Sequence, residues 1–68
     1  MKVQNETFQD SDWAEEWQLV FYDDAGRFIQ RASIDKAIYA TVLCQAHQLM
    51  QRNHAASFVI EDVRGRRF

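Results

Sequence analysis

Sixty-eight residues, 47% hydrophobic and 13% aromatic, make one small domain, and a chain of this size buries only about 60% of the surface its unfolded form exposes. Cys44 is the only cysteine, which excludes an internal disulfide and the stapled framework of small secreted domains. Net charge is −2, no apolar run approaches the roughly 20 residues that cross a bilayer, and the first residues lack the apolar stretch of a signal peptide, so elimination leaves the cytoplasm.

Residues 1–12 are polar and without periodicity, with Phe8 the one large apolar group after Val3. They read as a flexible or loosely packed arm preceding a domain that spans 13–68. From Trp13 to Tyr22 the pattern alternates. Trp13, Trp17, Leu19 and Phe21 share one parity and define a core-facing row, with Val20 and Tyr22 on the other side. Asp23-Asp24-Ala25-Gly26 is a turn, because aspartates bond back to nearby backbone N–H groups and Gly26 accepts a positive φ. The turn makes Arg27–Ala32 the second strand of a hairpin, with Phe28 and Ala32 on one side and Ile29 on the other.

Ser33 is the expected helix N-cap, with Asp35 in the first turn, where a negative charge is favoured. Nothing breaks a helix from there to Arg52. Ile38, Tyr39, Val42, Leu43, Ala46, Leu49 and Met50 fall within an arc about 140° wide, which is the face that covers the sheet. Residues 57–63 alternate again, with Phe58 and Ile60 opposed to Val59 and Val63, and form a third strand. Asp62-Val63-Arg64-Gly65-Arg66 repeats the D-x-x-G-R spacing of Asp23 to Arg27. The spacing suits a turn, after which Arg67 and Phe68 would begin a short fourth strand.

The expected fold is therefore α+β: a two-layer, three-stranded antiparallel sheet with one helix, in the order β-β-α-β. One helix covers one side. Val20, Tyr22, Ile29, Val59 and Val63 are left on the other, which is a motive for dimerisation.

Chemistry finds little support. Cys44 and His47 stand one helical turn apart, yet a thiolate–imidazole pair needs a third orienting group and a cleft. His47 and His54 with Cys44 do not make the four ligands of a structural metal site. The acidic pairs Glu15-Glu16 and Asp23-Asp24 lie next to turns, where carboxylates stay solvated. No glycine-rich phosphate loop is present. The expectation is a non-enzymatic protein without metal or cofactor.

Two surfaces remain. Ala37, Ala40, Thr41, Cys44, Gln48 and Gln51 form a helix back without formal charge, unlike the usual solvated helix. With Trp17 and Tyr22 at the sheet rim, they are the candidate protein-contact residues, for a homodimer or another protein. Arg64, Arg66 and Arg67, with Phe68 to stack on a base, are the candidate nucleic-acid contact, which Arg27, Arg31 and Arg52 would enlarge. Charge is uneven along the chain: residues 1–26 hold seven acids and one base, and residues 27–68 hold seven bases and three acids.

Overall fold

β1 (Trp13–Tyr22) is the middle strand of three, and its composition suits that place. Trp17, Leu19 and Phe21 are fully buried on one side, while Val20 is 5% exposed on the other. The structure, a computed structural model, describes residues 9–65. β2 (Phe28–Ile38) and β3 (Ser57–Asp62) flank β1 and run antiparallel to it. α1 (Tyr39–Arg52) carries the chain from one edge of the sheet to the other. The result is the expected two-layer α+β arrangement in the order β-β-α-β, with strand order β2-β1-β3.

β2 is longer than the sequence suggests and the helix shorter. Ser33 is no helix cap: it lies inside β2, opposite Gln18. Ser33, Ile34 and Asp35 alternate as well as any strand, and pairing with the ten residues of β1 outweighs the local capping signal. The ladder continues to Ile38 opposite Trp13. The Trp17 indole N–H donates to the Ala37 carbonyl at 2.7 Å and ties down this last stretch. The helix begins at the next residue, with Ile38 at the N-cap position and no side-chain cap. Its first N–H groups are satisfied instead by a turn of the preceding segment. Tyr39 N–H donates to the Asp12 carbonyl at 2.7 Å and Ala40 N–H to that of Asp10 at 3.2 Å. Residues 9–12 of the expected arm thus cap the helix, and the rest of the arm lies outside the described residues.

At the other end the helix closes in a Schellman motif. Ala55 N–H donates to Met50 C=O at 2.9 Å and His54 N–H to Gln51 C=O at 3.3 Å. His54 takes the left-handed φ of 58° usually left to glycine. Tyr39, Val42 and Ala46 are buried, with Leu43, Leu49 and Met50 packed beside them, so the predicted helix face is correct except for Ile38, which is strand and 40% exposed. Trp17 and Tyr39 meet with ring centroids 6.0 Å apart, and Phe21 and Phe58 at 6.2 Å.

The core row of β1 also needs correction. Trp13 is 56% exposed and Ala14 is buried in its stead. Between Trp17 and Ala14 the inward parity changes, and it changes in β2 as well, from Ile34 to Ala37. Lys36, at φ 52°, stands at the change in β2. A left-handed residue there turns the pleat over, and Trp13 and Ile38 leave the core as a cross-strand pair. A second irregularity, between Phe21 and Tyr22, sets Phe21 opposite Gln30 but Tyr22 opposite Phe28. The extra residue, Ile29, packs against the core rather than lying on the far face as its parity implies.

β3 ends at Asp62, so Val63 belongs to the following turn. The two D-x-x-G segments fold alike. Gly26 N–H donates to Asp23 C=O and Gly65 N–H to Asp62 C=O, each at 3.0 Å, with glycine φ values of 81° and 84°. Each aspartate also accepts a backbone N–H on its side chain, from Ala25 and Arg27 for Asp23 and from Arg64 for Asp62. The expected fourth-strand stub lies outside the described residues.

Burial pushes the Tyr39 phenol above the ordinary tyrosine value, and the charge of Asp10 adds to it. Its folded-state pKa is thus higher than its unfolded one. The stability it contributes is complete below the unfolded pKa of about 10 and is lost as pH rises through the folded value. In urea melts from pH 8 to 11.5 we expect the midpoint to fall above about pH 10, and the fall to be smaller in Tyr39→Phe. Equal falls in both proteins would remove Tyr39 as the cause.

Candidate interaction surfaces

Among the described residues no further element covers the outer side of α1, the sheet face away from the helix, or the outer edges of β2 and β3. On the helix, Thr41, Cys44, Gln45, Gln48 and Gln51 are exposed and Ala40 is half-buried. Ala40, Thr41, Cys44, Gln45 and Gln48, with Leu49 and Arg52, line an open depression of about 590 Å³ along the flank. All the residues that line it belong to α1, so it is a trough on one helix rather than a cleft between elements. Ala37 is not part of this face. It belongs to β2, half-buried, and packs on the core. Trp17 is sealed at 0% exposure and offers nothing to a partner, and Tyr22 is half-buried at the end of β1.

The far face of the sheet is more polar than the sequence suggests. By register it carries Glu16, Gln18, Val20 and Tyr22 on β1, Phe28, Arg31, Ser33 and Asp35 on β2, and Ser57, Val59 and Glu61 on β3. Val20 lies between Arg31 and Val59. The Gln18 amide bridges Glu16 at 2.7 Å and Ser33 at 2.9 Å. With Ile29 turned to the core and Val63 in a turn, the apolar part of this face among the described residues is reduced to Val20, Tyr22, Phe28 and Val59, of which Phe28 is exposed.

Cys44 is a free, exposed thiol. His47, one turn on, stands edge-on to Phe58 with ring centroids 5.2 Å apart and planes at 89°. Its geometric role is packing at the helix rim. Among the described residues, no three or more His, Cys, Asp or Glu side chains gather to hold a metal ion. Among them too, no helix is long and apolar enough to cross a membrane.

The arginines do not form one patch among the described residues. Arg27 follows the hairpin turn beyond Tyr22 and pairs with Asp23 at 3.1 Å, and Arg64 follows Asp62, which lies opposite Trp17. Five residues of strand separate these ends, about 17 Å. Arg66, Arg67 and Phe68 lie outside the described residues. The outer edge of β2 is a surface that sequence reasoning misses. Its signal is the alternation of Ser33, Ile34 and Asp35, masked by their capping chemistry.

Comparison of the chain with protein-family models, with curated proteins and with solved structures gives no match.

Proposed function

We propose that this chain is a small, non-enzymatic protein-interaction domain that self-associates and acts by surface contact. The observation that carries this reading is the outer edge of β2: eleven residues of strand whose outward backbone groups meet no further strand among the described residues. Such an edge is a template for pairing with another chain. The uncharged outer side of α1 would then be offered to a second protein. We take the cytoplasm as the location, since an exposed free thiol persists in a reducing compartment.

The test is the solution mass by size-exclusion chromatography with light scattering across a concentration series. We expect a species of twice the 8.1 kDa chain mass whose share grows with concentration. A monomer throughout overturns self-association.

A further inference from the structure

The charge pattern on β2 specifies how two copies would meet. Arg31, Ser33 and Asp35 are exposed and lie on the same face of the strand, with Ser33 midway. Arg27 pairs with Asp23, whereas among the described residues neither Arg31 nor Asp35 has an ion pair. Asp35 lies directly opposite Glu16 on β1. Like charges in that relation repel, and among the described residues no ion pair offsets either carboxylate. Arg31 stands opposite Val20, further along the same face.

We propose that two copies pair antiparallel along their β2 edges about a twofold axis through Ser33, giving one continuous six-stranded sheet. This inference rests on the self-association reading above and names its interface. In this register Arg31 of each copy faces Asp35 of the other, twice per dimer, and sets a cation against the carboxylate that lies opposite Glu16. On the opposite face Ala32 meets Ile34 of the other copy, again twice. Both are half-buried because they sit at an edge, and both already pack on the core. Each hydrophobic core is thereby continued into its neighbour.

The other symmetric registers do worse. A twofold axis between antiparallel strands must pass through a residue position that keeps the two faces matched, so the alternatives are centred on neighbouring residues. Centring on Arg31 or Asp35 sets like charges against themselves. Centring on Ala32 or Ile34 leaves both charges without an opposite. Ser33 is the one centre in this stretch that pairs them. The axis is perpendicular to the sheet, so both helices lie on the same side.

The experiment compares dimerisation of the full chain and its variants by sedimentation velocity, with circular dichroism to check folding. Arg31→Asp and Asp35→Arg, both at exposed positions, each set two like-charge pairs across the interface and are expected to weaken the dimer about tenfold or more. Mixed in equal amounts, the two variants are mutually complementary and regain the wild-type dimer as a heterodimer. In a Cys44→Ser background, Ser33→Cys puts the two thiols opposite each other within about 5 Å between Cβ atoms, and mild oxidation should link them. A wild-type dimer that tolerates both charge variants, with no disulfide formed by the Ser33→Cys variant, overturns this register and leaves self-association standing. A wild-type monomer up to about 1 mM overturns the self-association reading and this interface together.

Discussion

Alanine in place of Trp17 is expected to destabilise the domain by about 3–5 kcal/mol, the usual range for deleting a large buried aromatic. Domains of this kind hold only about 5–15 kcal/mol in all, and short chains sit low in that range. From a parent near the low end, the variant would retain about 0–2 kcal/mol, so up to about half of it would be unfolded at room temperature. Trp17 is fully buried in the middle strand, its ring 6.0 Å from that of Tyr39. Its N–H bonds to the Ala37 carbonyl just before the strand becomes a helix. The residue joins the sheet, the helix and the end of β2. Trp17→Phe separates the contributions: it keeps most of the apolar volume and leaves the Ala37 carbonyl without that donor, at a cost of about 1–3 kcal/mol. Urea melts followed by circular dichroism would measure both. A Trp17→Ala protein with a near-native midpoint would mean that this side chain is not at the centre of the core.

The second large effect concerns the orientation of the helix. Ala46→Asp buries a carboxylate where Ala46 now has no exposed surface, among Val42, Leu19 and Phe21 in the core cluster. An unpaired charge there is expected to cost about 4 kcal/mol or more. Gln48→Glu, two residues on, faces solvent and should move stability by about 0.5 kcal/mol or less. The pH response identifies the cause. The buried carboxyl of the variant has its folded pKa raised, so the loss should diminish as pH falls below its folded value and be least below its unfolded value near 4. If the two variants behaved alike in thermal and urea melts, the helix would be rotated from the position described.

Much of this fold is legible in the residues, and the failures share a cause. The turn at Asp23–Gly26, the core-facing arc of the helix and the alternation of Leu19 and Phe21 are local signals, written within a few residues of where they act. The Ser33 error arises from a signal that is ambiguous in itself. Ser and Asp flanking Ile34 suit a helix start and a strand equally, and only the length of β1 on the other side decides. Trp13 is misplaced because a period of two assumes an unbroken pleat, and nothing in Lys36 announces a left-handed backbone. The interaction surfaces are legible in part. The uncharged back of the helix appears as a run of residue types. The value of Arg31 and Asp35 depends on β2 being an edge strand, a property of the whole sheet.

The junction at Ile38 and Tyr39 has a consequence for how the chain holds a single state. No loop separates the ladder from the helix there. Register and helix placement are thus one mechanical variable: sliding β2 by one residue turns Ala32 and Ile34 to the wrong face and moves the helix origin by about 3.4 Å along the sheet. The carbonyls of Asp10 and Asp12 would then miss the N–H groups they now accept. A chain out of step loses its strand pairing, its helix cap and its core at once, with no half-correct arrangement in which to linger. Cooperativity in so short a protein is secured at this joint, where one residue ends a strand and the next begins a helix.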